Sequence, residues 1–324
     1  MQTSDTSKLI TRIGFLLIPE FSMISLASLI EPLRMANQLK GETLYSWHIY
    51  GDGEEVYASN GLPFSVNRTK ENTSDLEILF VVAGTNVKDN SHAENIRWIK
   101  DIKRQGVQLG ATSTGTTLLA QAGILKHSRC TIHWENLDSL LEEFPDLNVT
   151  GELYEVDDNI YTCAGGAAGL DMMLHLIETK YGSHLAKDVA EQFIHPTIRS
   201  SNEKQRMNLH LRHSTHNPKL LESLEIMRSN TEEILSCPQI SQLISVSTRQ
   251  LERLFKEGLN TSPSAHYLRI RLEKAHNLLT QSNLSILHIS TACGFSSSSY
   301  FARCYKNQYD KSPNEQRKKS NDKS

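Results

Sequence analysis

The sequence lacks the features that mark several classes of protein. Its five cysteines are an odd number and form no Cys-x-x-Cys pair, which argues against a disulfide framework and a zinc site. This pattern fits a reducing compartment, so we expect a cytoplasmic protein without a bound metal. The apolar run IGFLLIP at residues 13–19 is too short to cross a membrane, and no signal-peptide cleavage site follows it. We therefore expect no membrane partner.

The 324 residues suffice for two domains, and their charge is unevenly distributed. Residues 217–324 hold 15 of the 34 Lys and Arg but 10 of the 37 Asp and Glu, so this segment carries +5 and the preceding part −8. An acidic first part and a basic last part indicate two functions. A basic domain is a candidate for binding nucleic acid.

The first part of the chain alternates between strand and helix patterns. The apolar run LEILFVVAG predicts a parallel strand covered on both faces, and SMISLASLIEPLRMANQL predicts a helix with Ser22 as its N-cap. The stretches LYSWHIYG and EEVYASNG predict paired strands, and LYEVDDNIYTCAG predicts a hairpin that turns at residues 157–159. We therefore expect an α/β domain over residues 8–195, with a doubly wound, mostly parallel sheet.

The stretch GATSTGTTLLAQAGIL predicts a strand, a sharp turn and a helix, with Ser113 at the tip. Hydrolases hold a nucleophile at such a turn. A serine needs an adjacent base, and no oriented base with a third group is visible, so we expect no catalytic residue. Backbone N–H groups at the start of a helix bind anions such as carboxylates. The turn is therefore interpreted as the wall of a binding pocket.

A small zwitterion suits this pocket. Its carboxylate would lie at the turn, and its cationic group would face an aromatic ring or a carboxylate. The candidate ligand-binding residues are Ser113, Thr114, His133, Trp134 and Glu135. The alternative is that Trp134 belongs to the core, His133 is a satisfied polar residue and Glu135 is exposed in a first helical turn. No motif indicates a cofactor.

Residues 196–218 are polar and basic, and we predict an interdomain linker there. Residues 219–319 contain helix patterns only, which predicts an all-α domain. Two segments, at 240–263 and 289–313, share one order: short helix, turn, second helix, then a Ser-Pro that caps the next helix. This order predicts two helix-turn-helix units joined by one long helix.

The second helix of each predicted unit carries polar residues suited to a DNA major groove, where hydroxyls reach base edges and cations contact phosphate or guanine. The alternative is a solvated basic face on an ordinary helical bundle, but two copies with matched caps favour DNA binding. The candidate DNA-binding residues are Thr248, Arg249, Arg253, Lys256, Ser297, Ser298, Arg303 and Lys306.

The last part resembles the AraC family of transcription regulators, from Leu220 to about Lys318. The motifs that carry the resemblance are RQLERLFKEGLNTSPSAHYLRIRLEKAHNLL and YFARCYKNQYDKSP. The first part resembles the PfpI-like relatives of class I glutamine amidotransferases, through IGFLLIPEFSMISLASLIEPLRMAN, GATSTGTTLLAQAGIL and RCTIHWE. Catalytic members of that family carry a cysteine where Ser113 stands, and their carboxylate is missing from FSMISLAS.

The combination resembles regulators of amino-acid and quaternary-amine catabolism, which include activators responsive to glycine betaine, carnitine and arginine. The resemblance implies a bacterial activator that senses a small zwitterionic metabolite. It also implies a homodimer, held by the sensor domain, that binds a double-stranded operator and acts with RNA polymerase. Two alternatives stay open: an amidase-like or hydratase-like enzyme fused to a DNA-binding domain, and a constitutive regulator whose α/β domain only dimerises.

Overall fold

A computed structural model describes residues 10–68, 70, 73–206 and 215–321. The chain divides into two compact units, Met1–Gln205 and Arg206–Ser324. The division lies inside the segment predicted as a linker, of which residues 207–214 are outside the described residues. Among the described helices, none is long and apolar enough to cross a bilayer.

The first unit is built on a six-stranded sheet with the order β2-β1-β5-β6-β10-β9. All neighbouring pairs are parallel except β9 with β10. The strands of the unit are β1 (Thr11–Leu17), β2 (Tyr45–Tyr50), β3 (Glu55–Tyr57), β4 (Pro63–Ser65), β5 (Ile78–Val82), β6 (Gln108–Thr112), β7 (Arg129–Thr131), β8 (Asn148–Thr150), β9 (Tyr154–Asp157) and β10 (Ile160–Cys163).

Helices cover both faces of this sheet, so successive residues of a central strand enter different cores. Phe15 belongs to the core on one face of the sheet, and Leu16 belongs to the core on the other face. The prediction of a doubly wound, mostly parallel α/β domain is confirmed. The helices are α1 (Met23–Lys40), α2 (Val87–Asn90), α3 (Ala93–Arg104), α4 (Gly115–Gln121), α5 (Leu137–Glu143), α6 (Ala168–Tyr181) and α7 (Ser183–Gln192).

The prediction that β2 and β3 pair with each other is wrong. β2 lies parallel to β1, whereas β3 pairs antiparallel with β4. An alternating pattern identifies a strand but not its partner. The predicted hairpin of β9 and β10 is confirmed, and its two turn residues, Asp158 and Asn159, have φ of 45° and 62°. Positive φ at both central positions is what a two-residue hairpin turn requires.

The end of the first unit is fastened to its sheet and to α6. The fully buried carboxylate of Asp171 accepts hydrogen bonds from the backbone and guanidinium of Arg199 and lies 2.8 Å from Nε2 of His195. Nε2 of Gln205 lies within 3.0 Å of Thr131 Oγ1, Ile132 O and Glu152 O. Residues 195–205 therefore pack on the first unit.

The second unit contains only helices among its described residues, as predicted. The helices between residues 220 and 270 share one core, and those between residues 272 and 305 share a second. The prediction of two helix-turn-helix units on a connecting helix is confirmed. The helices are α8 (Pro218–Ser229), α9 (Cys237–Leu243), α10 (Thr248–Leu259), α11 (Pro263–Gln281), α12 (Ile286–Ala292), α13 (Ser298–Tyr309) and α14 (Pro313–Asn321).

Candidate functional sites

Ser113 stands at the turn between β6 and α4, at the carboxyl end of a central parallel strand. Its φ is 56°, a left-handed conformation that costs energy in a residue other than glycine. The backbone N–H of Ser113 donates to the carbonyl oxygen of Cys163 at 3.0 Å, and the hydroxyl of Thr114 donates to that of Gly84 at 2.7 Å. The turn is therefore held by the ends of β5 and β10.

Glycines close one side of this turn. Gly165 has φ of 89°, and a Cβ at this position would lie 2.7 Å from Cβ of Ser113. The N–H of Gly166 donates to the hydroxyl of Ser25, which is fully buried at the start of α1. Ser25 and these glycines are parts of the site that the sequence motifs do not predict. They lie far from Ser113 along the chain, so no local pattern could have identified them.

His133, Trp134 and Glu135 follow β7, which adjoins the helix that begins at the turn. The hydroxyl of Thr116 in α4 donates to the carbonyl oxygen of Thr131 at 2.8 Å. The rings of His133 and Trp134 are 5.4 Å apart and half-buried, and Glu135 is exposed. The two sets of candidate pocket residues thus stand on neighbouring elements.

A cleft of about 620 Å³ lies at the opposite edge of the sheet, where β5 and β6 begin. Its polar groups already have partners. Lys180 contacts Thr11 and lies 4.0 Å from Glu77, and the hydroxyl of Tyr161 donates to Gln108. Parallel sheets bind ligands at the carboxyl ends of their strands, so the candidate site is the Ser113 turn and not this cleft.

In the first helix-turn-helix unit, the candidate cations lie on the exposed face of α10. Leu251 and Phe255 are fully buried, whereas Arg249, Arg253 and Lys256 are exposed. Ser247 caps α10 in a capping box with Gln250, and Asn260 ends it at a φ of 50°. The hydroxyl of Thr248 lies 3.3 Å from that of Ser241, so it faces α9.

The second helix-turn-helix unit repeats this arrangement on α13, where Phe301 and Tyr305 are buried and Arg303 and Lys306 are exposed. Ser297 is the N-cap of α13, since its hydroxyl accepts from the N–H of Tyr300, and Ser298 is the first helical residue. The guanidinium carbon of Arg303 lies 5.5 Å from the ring centroid of Tyr300. Tyr300 is not among the predicted DNA-binding residues, although its spacing of three residues from Arg303 places both on one face.

Within the described ranges, no group of three or more His, Cys, Asp or Glu side chains is arranged to hold a metal ion.

Comparison with known proteins assigns the two units. Residues 11–179 match the DJ-1/PfpI family, and residues 240–319 match a helix-turn-helix domain. The chain is 40% identical to the HTH-type transcriptional regulator GbdR of Pseudomonas aeruginosa, over 94% of this chain and 83% of that protein. It is 41% identical to the HTH-type transcriptional regulator CdhR of the same species, over 94% and 90%. The chain belongs to this family of HTH-type transcriptional regulators.

A solved structure of an AraC family transcriptional regulator from Pseudomonas putida agrees with this assignment. It is 27% identical, has a TM-score of 0.53, and covers 56% of this chain and 99% of its own. The protein is thus a DNA-binding transcription regulator that joins a DJ-1/PfpI domain to an AraC-type helix-turn-helix domain.

The chemistry of the turn in this HTH-type regulator differs from that of a thiol enzyme. Cys163, at the end of β10, is fully buried, and its thiol donates to the hydroxyl of Thr112 at 3.2 Å. Burial raises the pKa of Cys163, because the thiolate would be desolvated. Nδ1 of His133 lies 3.7 Å from Oε2 of Glu135 and accepts from the N–H of Glu135 at 3.4 Å. That nitrogen is engaged locally.

Proposed function

We propose that this regulator is an activator whose first unit binds a small amino-acid or quaternary-amine zwitterion at the Ser113 turn. The observation that carries the proposal is the turn itself. It presents the start of a helix at the carboxyl end of a central strand, without an activated nucleophile. In a doubly wound sheet this is where ligands bind.

The carboxylate of the zwitterion is assigned to the start of α4. The first N–H groups of a helix have no acceptor within the helix, and the helix dipole favours an anion there. The N–H of Ser113 already donates to Cys163. The hydroxyl of Ser113 and the N–H groups that follow are therefore the donors we assign to the carboxylate.

The cationic end is assigned to Trp134 and Glu135. A quaternary ammonium has no N–H to donate, so it is recognised by an aromatic face and by charge attraction. Trp134 is half-buried and Glu135 is exposed, both directly after β7. His133 carries its ring against that of Trp134 and completes this wall.

We infer that the first unit binds rather than catalyses. A serine hydroxyl is a nucleophile only with an adjacent base that a third group orients. His133, the candidate base, has one ring nitrogen against Glu135 on its own turn. Ser113 is also 9% exposed and packed against Gly165. These features favour recognition over bond cleavage.

We also infer which residues contact the operator. Arg249, Arg253 and Arg303 are assigned to base edges or phosphates, with Lys256 and Lys306 on phosphates. Thr248, Ser297 and Ser298 stand at the starts of α10 and α13, where the helix end enters the major groove in such motifs. We expect the regulator to act in the cytoplasm as a homodimer held by its first unit and to act with RNA polymerase.

Titration calorimetry with the full chain tests the ligand proposal. The panel consists of glycine betaine, carnitine, arginine and lysine. We expect heat from at least one compound, and we expect Trp134→Ala to weaken its binding at least about fivefold, as loss of a desolvated cation–π contact implies. Glu135→Gln should also weaken binding, because it removes the negative charge that attracts the cation. Glu54→Gln, an exposed carboxylate on another part of the unit, is the matched control and should bind as the wild type does.

Two results would contradict the proposal. Absence of heat with every compound would favour a first unit that only dimerises. Turnover of an amide or an aldehyde substrate that disappears in Ser113→Ala would favour an enzyme.

A further inference from the structure

The two helix-turn-helix units are joined by α11 and also by contacts beside this helix. Their cores are separate, since one contains Tyr267 and Ile270 and the other contains Leu272 and Ala275. Two bodies linked by one helix can twist relative to each other when that helix bends. DNA binding by both recognition helices, α10 and α13, requires a fixed separation and angle. Contacts beside α11 that limit this twist therefore affect how both recognition helices meet the DNA.

One face of α11 makes such contacts. Tyr267, Arg271 and Lys274 are spaced by four and three residues, which places them on the same side of the helix. The hydroxyl of Tyr267 donates to the carbonyl oxygen of Asn230, and Nζ of Lys274 lies 3.4 Å from the hydroxyl of Thr231. These residues hold the loop at 230–235, which leads into the first helix-turn-helix unit.

From the same face of α11, Arg271 binds the turn of the second helix-turn-helix unit. Its Nε donates to the carbonyl oxygen of Cys293 at 2.8 Å, and its Nη2 donates to that of Gly294 at 2.9 Å. The guanidinium carbon lies 4.2 Å from the ring centroid of Phe295, and the residue is only 8% exposed. A rigid fork of donors suits two neighbouring carbonyls, which a lysine could not bind together.

The turn of the second helix-turn-helix unit also lies against the loop at 230–235, which leads into the first helix-turn-helix unit. Gly294 has φ of 68°, and a Cβ there would lie 2.6 Å from the carbonyl oxygen of Glu232 and 2.8 Å from that of Thr231. Only a glycine satisfies both the left-handed conformation and this close approach. The loop at 230–235, the turn at 293–295 and the stripe on α11 thus form one junction.

We propose that Arg271 is a positioning residue for DNA binding, which fixes α10 and α13 in one relative orientation by closing this junction. Arg271 is buried between the two helix-turn-helix units and is assigned no contact with DNA. Its loss should therefore loosen the preferred distance between the two DNA segments that one chain reads. This proposal depends on DNA binding by the family and not on the ligand proposed above.

The test compares spacings of the binding site. The full-length wild-type protein is used to select a site from random DNA, and footprinting locates the two major-groove segments contacted by one chain. Affinity is then measured for this site and for one with a base pair inserted between the segments, which rotates one segment by about 34–36°. Because the ratio of the two affinities is independent of the folded fraction, a general loss of stability leaves it unchanged.

We expect the wild type to prefer the selected spacing by at least about tenfold, because the insertion removes the base contacts of one helix. Arg271→Met and Gly294→Ala should reduce that ratio several-fold, and Arg271→Lys should not restore it. Arg269→Met, which removes a cation from an exposed position on the same helix, should keep the wild-type ratio. An unchanged ratio in Arg271→Met and Gly294→Ala, or a flat spacing profile in the wild type, would overturn the proposal.

Discussion

The guanidinium of Arg199 donates two hydrogen bonds, of 2.7 and 3.0 Å, to the same carboxylate oxygen of Asp171, a side chain with no exposed surface. Burying a carboxylate is costly unless it is paired and hydrogen-bonded. Arg199 lies near the end of the first unit, so this pair fastens the segment that leads toward the helix-turn-helix units. The contact predicts how stability depends on that segment.

Replacement of Arg199 by Met should destabilise the first unit by about 3 kcal/mol, the low end for a broken buried pair, because His195 still faces Asp171. The measurement is urea unfolding followed by tryptophan fluorescence. Trp47, Trp98 and Trp134 all lie in the first unit, so the signal reports on that unit alone.

Arg34→Met is the matched control, because Arg34 pairs with Glu31 at 2.8 Å but both side chains are 42% exposed. An exposed pair contributes about 0–1 kcal/mol, so this variant should unfold close to the wild type. Equal effects of the two substitutions would contradict the role assigned to the Asp171 carboxylate.

The cysteines predict a simple reactivity pattern. Cys130, Cys163 and Cys293 are buried, and Cys237 and Cys304 are half-buried. Burial raises the pKa of Cys130 to about 12 and also raises that of Cys163. The thiolate is the reactive form, so a raised pKa lowers the reactive fraction at neutral pH.

A disulfide reagent such as DTNB at pH 8 should modify Cys237 and Cys304 in the native protein and all five thiols after denaturation. A native thiol that reacts quickly at pH 6 would instead reveal an activated cysteine, which would support the enzyme alternative.

Two cations of α10 should affect DNA binding differently. Arg249→Ala should weaken binding to the selected site by about 1–3 kcal/mol and relax the preference at one base, if Arg249 reads a base edge. Lys256→Ala should weaken binding to all sequences alike and reduce the salt slope by about one. Gel-shift titrations at several salt concentrations measure both quantities.

Lys219→Ala provides the control, since Lys219 is a half-buried cation of α8 that pairs with Glu222 on the same helix. It should leave the affinity and the salt slope close to those of the wild type. Unchanged affinity and slope in Arg249→Ala and Lys256→Ala would contradict the assignment of α10 to the DNA.

Features encoded locally could be predicted from the sequence. Ser22 and the two Ser-Pro motifs, at Ser262 and Ser312, cap helices as expected, because a cap depends on residues three positions apart. Asn260 and Asp310 end α10 and α13 in the left-handed conformation, which these residue types tolerate. The same locality explains why Ser113 could be assigned to the turn between a strand and a helix.

Features that depend on distant partners could not be predicted. Helix α7 was missed because Gly182, with φ of 89°, has the pattern of a helix end although a second helix follows at once. Arg199 and Gln205 lie in a polar segment that reads as a linker, yet their partners Asp171 and Ile132 are far along the chain. A polar side chain looks the same in sequence whether it faces water or a buried carboxylate.

We propose that binding of the zwitterion at the Ser113 turn changes the affinity of the protein for DNA, and DNA binding with and without ligand tests this claim most directly. The affinity of the full chain for its selected site would be measured with saturating amounts of whichever compound gives heat in calorimetry. The account predicts a change in affinity within the range of about 5–150-fold that is usual for coupled sites. This change should persist in Glu54→Gln at the same concentrations of the compound, and in Trp134→Ala it should require at least about fivefold more of the compound. Identical binding curves with and without the compound in the wild type would contradict the account.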